Sequence, residues 1–305
     1  MGELYRAVWR VSGRDQVTLI LLSLLVASLA AVPLKFQQLA INSLVDQGSV
    51  ARLAWFCAGF LGSVLLSATV KFLLGLKLAS VGERVVLLIR ERLYRNHVAQ
   101  GPAQAADGGG NSGALVAMLA SEAEIVGTFA GSAISTPVVQ IGTLLSVIGF
   151  IAVSQPWLGF LALAVVVPQA AIVLALQPRI NRRVRERVQS LRNVSSQIST
   201  ERSSETEPEI RAGFQAIFAT RRQIFALKLS SKLALAAISA AGKVGILFLG
   251  GWLVLDGRSD VGTVVASLSG LARIEGPWRD LVSFFRSAST VRVKYTMLLP
   301  AIATR

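Results

Sequence analysis

The sequence predicts an all-α integral membrane protein, with six transmembrane helices and long cytoplasmic helical extensions. Three observations predict it. Of the 305 residues, 53% are hydrophobic and only 16% charged, and the mean hydropathy of +0.58 is well above that of a soluble domain. The excess is gathered into long uncharged runs. Between alternate runs lie two long basic segments with apolar residues at helical spacing.

The first element, residues 1–15, reads as an interfacial elbow helix. Leu4, Tyr5, Val8 and Trp9 share one side and Arg6 and Arg10 the other. The first span covers Val17 to Val32. A cleaved signal peptide would show the same order of basic residues, apolar core and Ala30-Ala31. The apolar character continuing past Pro33 through Leu39-Ala40-Ile41 favours a retained span, as do the later runs.

The second span runs from Leu53 to Leu78, interrupted only by Lys71 and Lys77, and the third from Ile125 to Val153. Gln155-Pro156-Trp157 forms a very short turn into the fourth, Leu158 to Leu176. The fifth occupies Leu233 to Leu255. The sixth, Val261 to Phe285, is the weakest, because Arg273, Glu275, Arg279 and Asp280 lie within it. The bundle therefore covers residues 16–300, with a short tail at 301–305.

The segments Val81 to Ile125 and Pro178 to Lys232 carry nearly all the loop arginines. The turns near Asp46, Pro156 and Asp256 carry almost none, so both termini are expected in the cytoplasm, at a bacterial inner membrane. Ile180, Val184, Val188, Leu191, Val194 and Ile198 recur at spacings of four and three, extending the fourth span as an amphipathic helix. Val81, Val85, Leu88 and Leu93 repeat the pattern after the second span. Each extension would project about 30 Å.

The net charge of +14 invites a nucleic-acid reading, but its placement between alternate apolar runs is what a membrane protein shows. One cysteine, Cys57, and one histidine, His97, supply neither a disulfide framework nor a metal cluster. No nucleophile-base constellation can be assembled, and no catalytic, cofactor-binding or metal residue is expected. Inverted repeats that would mark a secondary transporter are not evident. Uncharged apolar runs of this length disfavour a soluble helical array.

Four stretches carry a family resemblance. VGERVVLLIRERLYRNHV, Val81 to Val98, resembles a basic helix entering a first intracellular loop, and GALVAMLASE, Gly113 to Glu122, resembles that loop's G-x-L-x-S-R-L-x-N-D stretch. SETEPEIRA, Ser204 to Ala212, resembles the S-E-x-L-x-G-I-x tip of a second loop. Gly250 to Phe285 resembles a fifth-to-sixth span passage with a Gly-rich turn and a proline in the last helix. The ordered combination resembles the transmembrane domain of ABC exporters of the multidrug and lipid-flippase type.

That resemblance implies a translocation pathway built by two copies, or by one copy with a related chain, in the lipid bilayer. It also implies coupling to nucleotide-binding domains through the loop tips, at Gly113, Glu122, Glu205, Glu207, Glu209 and Ile210. The chain departs from the family's pattern where Met118 replaces an arginine, and where Glu207 and Glu209 replace leucine and glycine around Pro208. Acidic tips would require a complementary, basic groove.

The phosphate-cradling G-x-x-x-x-G-K-[ST] pattern does not occur in the 305 residues. Gly242-Lys243 is followed by Val244, and Leu268-Ser269-Gly270 lies in a membrane span. ATP and Mg are therefore expected to act through a separate ABC ATPase subunit. The alternative is a decayed exporter serving as a non-transporting scaffold or regulator. The charges of the sixth span admit two readings. Glu275 and Arg279, four apart, would neutralise each other and hold the helix in register. Alternatively Arg273, with Glu275 and Arg279, lines the pathway at the dimer axis and meets an anionic or amphipathic substrate.

Overall fold

The computed structural model describes residues 2–99, 116, 118–200 and 207–303, and every described element is a helix. In chain order these are α1 (Gly2–Leu29), α2 (Val32–Val45), α3 (Val50–Ala99), a π turn (Met118–Glu122), α4 (Ala123–Ser132) and α5 (Ser135–Ser154). Then follow α6 (Pro156–Thr200), α7 (Glu207–Leu255) and α8 (Val261–Ala303).

Five stretches are long and apolar enough to cross a membrane: Asp15–Val45, Val50–Val98, Met118–Ser154, Pro156–Leu191 and Ile210–Leu255. The sixth span, α8, fails that measure because of its charges, but it packs along α5 and α2 as a member of the bundle. The chain is an all-α integral membrane protein.

Prolines and one extended residue punctuate the helices. The apolar run after Val17 divides at Ala30 and Ala31, and Pro33 sits in the first turn of α2, where its missing N–H is not needed. The third span divides at Ala133 and Ile134; Pro137, three residues on, has no backbone N–H to continue the helical ladder across the break. Gln155 alone is extended, at φ −154° and ψ 107°, and Pro156 opens α6. The predicted short turn is thus a single residue. Past α7, Gly257 adopts φ +71°, and the Arg258 N–H donates to the Leu253 carbonyl at 2.8 Å. Glycine takes that left-handed conformation without steric cost, and the helix end is closed.

Two expectations need correction. The elbow expected as a separate helix over 1–15 is continuous with the span, since α1 runs unbroken from Gly2 to Leu29, through Gly13. The side chains of Leu4, Tyr5, Arg6, Val8 and Arg10 lie outside the described residues; Trp9 is exposed. Along α3, Val81, Val85 and Leu93 are buried but Leu88 is exposed, and half-buried Ile89 joins the core in its place. The unbroken VVLLI run leaves the helical phase undefined, so spacing alone could not choose between 88 and 89.

The chain divides into two compact units, Met1–Pro156 with Gly251–Arg305, and Trp157–Gly250. In the first, Leu19 and Val26 of α1 meet Val70, Leu74 and Val81 of α3. A second core joins Leu93 of α3, Val126 and Phe129 of α4, and Phe284, Val291 and Leu298 of α8, with Phe129 stacked on Phe284 at 5.4 Å. α3 and α4 approach closely through Gly127 and Gly131. A Cβ on Gly131 would lie 2.5 Å from the Leu78 carbonyl oxygen, and one on Gly127 would lie 2.8 Å from the Val86 nitrogen. This small-xxx-small pair brings the backbones together, the usual device where helices pack without a hydrophobic driving force.

The second unit holds α6 beyond Pro156 and most of α7. Leu158, Ala162 and Val165 form a buried stripe on α6 at helical spacing, while Phe160, Leu163 and Val167 face outward. The predicted seam further along is only partly buried. Ile180 and Val194 are buried, Val184 and Leu191 are exposed, and the side chains of Val188 and Ile198 lie outside the described residues. On α7, Phe214, Phe218, Phe225 and Leu229 form an exposed apolar stripe. Trp55, Trp157 and Trp252 stand exposed near the ends of α3, α6 and α7, where indole rings suit the membrane–water boundary.

Candidate functional site

The charged stretch of α8 faces a cavity of about 690 Å³ inside the first unit, walled by α1, α2, α3, α5 and α8. Arg273, Glu275 and Arg279 all line it, so the helix brings the three sequence-predicted residues to one wall. Lys71 of α3, Gln140 of α5 and Asp280 of α8 line it as well. Gln140 Nε2 donates to Asp280 Oδ2 at 3.1 Å, tying α5 to α8. Arg279 Nε donates to the main-chain carbonyl of Glu275 at 3.4 Å rather than to its carboxylate. Three cations and two carboxylates thus share the space with Val26, Leu74, Val139 and Val147. Helix α8 continues through Pro277. Charges at this depth persist only where a wet cavity or a partner receives them.

Lys71 carried one sequence signal, as one of two charges, with Lys77, in an apolar run. Gln140 carried none, because its partner lies 140 residues away and no local spacing joins them.

A polar ladder fastens α2 to the start of α8. Gln38 Nε2 donates to Thr263 Oγ1 at 2.6 Å, the Gly262 N–H to Asn42 Oδ1 at 2.8 Å, and Gln37 Nε2 to Ser269 Oγ at 2.9 Å. Asp260 caps α8, accepting from the Thr263 N–H and from Thr263 Oγ1, each at 2.7 Å. Burial alone would push the Asp260 carboxyl up. Hydrogen bonds from Thr263, Asn42 and Gln38 outweigh it and hold the group below its ordinary 3.8.

The expected coupling residues fall in three places. Gly113 and Glu205 lie outside the described residues. Glu122 ends the π turn, and Lys294 of α8 approaches its carboxylate at 3.9 Å. Arg90 of α3 donates to the Leu119 carbonyl at 2.9 Å, so the turn is pinned from two sides. Met118, where the family's pattern has arginine, packs against the α3–α4–α8 core, a place suited to an apolar side chain. Glu207, Glu209 and Ile210 are among the first described residues of α7. The side chains of Glu207 and Glu209 lie outside the described residues, and Ile210 is half-buried.

Cys57 and His97 are both exposed. Among the described residues no group of three His, Cys, Asp or Glu side chains is placed to hold a metal. Gly242 and Lys243 lie within α7, and Ser269 is engaged by Gln37.

The chain has no match among curated proteins. A family model described as the ABC transporter transmembrane region matches residues 17–202. That stretch exceeds half the chain and runs from the first span through the whole of α6, taking in the long α3 extension and the pinned π turn. The chain belongs to the ABC transporter transmembrane region family.

Proposed function

We propose that this chain is the membrane-spanning subunit of an ATP-driven exporter, with a nucleotide-binding domain on a separate polypeptide supplying ATP hydrolysis through bound Mg. Two copies, or this chain and a related one, form the pathway, with both termini in the cytoplasm of a bacterial inner membrane. The family supplies the class of machine. The 305 residues hold no phosphate-cradling motif, which supports the reading that a nucleotide-binding domain elsewhere carries hydrolysis. The exposed stripe of Phe214, Phe218, Phe225 and Leu229 lies on α7 ahead of the span that the sequence predicts from Leu233, within the longer apolar stretch Ile210–Leu255. An apolar stripe in that position fits a protein partner, and a second membrane subunit is the partner the pathway needs.

The observation that carries the pathway assignment is the cavity onto which Arg273, Glu275 and Arg279 converge. In the alternating cycle, ATP binding would draw the α3 and α6–α7 extensions together through the loop tips at Gly113 to Glu122 and Glu205 to Ile210, changing access to that cavity. The test is substrate-stimulated ATP hydrolysis by the purified complex. Arg273→Ala and Glu275→Gln should each abolish stimulation while leaving basal hydrolysis in place. Wild-type stimulation in both would remove these residues from the pathway.

A further inference from the structure

A second space shares no lining residue with the cavity of Arg273. It is a groove of about 620 Å³ where the π turn and α4 meet α8, within the first unit. We propose that this groove binds a protonated amine carrying further hydrogen-bond donors, of the amino-alcohol or amino-sugar kind. Glu124 receives the ammonium, and the serine and threonine hydroxyls receive the remaining N–H and O–H groups. This site does not depend on the pathway reading.

Helix geometry gathers the polar groups. Glu124, Thr128 and Ser132 stand four apart and share one face of α4, with Cβ atoms of neighbours about 6 Å apart. Ser121 of the π turn lies three residues before Glu124 and lines the same groove. Ser287 and Thr290, three apart, line it from α8. The stack of Phe129 on Phe284 holds α4 against α8, and buried Phe129 and Val291 give the groove an apolar floor.

The lining sets the ligand's character. Glu124 is the only charged residue in it, and takes part in no hydrogen bond or ion pair among the described residues. Lys294, one turn beyond Thr290, faces Glu122 at 3.9 Å instead. The sign is therefore set for a cation. Ser132 Oγ donates to the Phe129 carbonyl at 3.1 Å, and Thr290 Oγ1 to the Arg286 carbonyl at 3.4 Å. Each hydroxyl spends its proton on its own helix and offers lone pairs to the groove. Acceptors around one carboxylate favour a cation rich in donors over one that has none. The volume exceeds what a bare ammonium fills and suits a small organic ligand.

Position agrees. Glu124 immediately precedes the third span predicted from Ile125, and Ser287 and Thr290 follow the sixth, predicted to end at Phe285. The groove thus opens at the membrane boundary on the side where α8 ends, within reach of a water-borne amine.

The test titrates the purified full-length chain, in neutral detergent, with glucosamine, N-acetylglucosamine and choline, reading dissociation constants by saturation-transfer NMR. N-acetylglucosamine lacks the charge, and choline keeps the charge without an N–H. Glucosamine should bind at least about fivefold tighter than either. Glu124→Gln should weaken it by about fivefold, and Thr128→Val with Ser287→Ala by about threefold without changing choline binding. Glu124, Thr128 and Ser287 are exposed, so these variants should melt as the wild type does. Arg273→Ala, in the other cavity, should leave glucosamine binding unchanged. N-acetylglucosamine or choline binding as tightly as glucosamine overturns the proposal, and so does undiminished binding in Glu124→Gln or no glucosamine binding at all. Loss of binding in Arg273→Ala would put the amine in the other cavity and overturn it too.

Discussion

Thr263 Oγ1 stands between Gln38 and Asp260, accepting from Gln38 Nε2 at 2.6 Å and donating to Asp260 Oδ2 at 2.7 Å. Thr263 and Gln38 are buried, so one hydroxyl satisfies an amide from α2 and a carboxylate at the head of α8. Thr263→Val keeps the shape and removes both bonds. It should destabilise the protein by about 1–3 kcal/mol, the cost of leaving a buried polar group without a partner. Thermal unfolding in detergent measures this, and an unchanged melting temperature would contradict the clasp.

The Asp260 carboxyl gives that clasp a pH dependence. Its folded pKa is held below 3.8, so the charged form contributes stability fully present above that value and lost as pH falls below it. Asp260→Asn should therefore melt lower than wild type at pH 7, and the gap should close as the pH is taken below 3.8. A gap that stays constant would mean the carboxylate's charge contributes nothing.

Gly131 should tolerate no side chain. Its Cβ position lies 2.5 Å from the Leu78 carbonyl and 3.1 Å from the Gly82 nitrogen, both backbone atoms that cannot step aside. Gly131→Leu should separate α3 from α4 and cost about 3 kcal/mol or more, whereas Gly75→Ala, with open space around it, should be nearly neutral. Folded yield in mild detergent distinguishes the two.

Much of this fold is legible in the sequence because the bilayer imposes few, strong rules. Apolar runs separated by basic segments give the spans, and Gln155-Pro156 gives a turn that could hardly be read otherwise. Three things are not legible. The Gly127/Gly131 contact is hidden because a small-xxx-small pair inside an apolar run looks like any other membrane helix. The phase of the VVLLI stretch is ambiguous, so Leu88 is assigned to a seam that Ile89 occupies. The cavity joins Lys71, Gln140 and Arg273 from three helices far apart in sequence; Lys71 and Arg273 announce themselves by charge in spans where charge is rare, but nothing local joins them to each other or to Gln140.

The exposed α7 stripe predicts where a second subunit rests. Phe218, 70% exposed, lies at its centre. Phe218→Asp should leave the isolated chain folded, because no described residue buries that ring, yet shift the protein from dimer to monomer in size-exclusion chromatography with light scattering. A dimer unaffected by Phe218→Asp places the interface elsewhere.

The central claim is that this chain supplies a pathway whose motor is another polypeptide. Its most direct test is gentle-detergent purification of the tagged, full-length chain from its own membranes, followed by native mass spectrometry and an ATP hydrolysis assay on the same fraction. The account predicts a complex holding two membrane subunits and an ABC ATPase, with hydrolysis that disappears when the ATPase is dissociated. Recovery of the chain without any ATPase, in a fraction that hydrolyses no ATP, would contradict it and favour a non-transporting membrane scaffold.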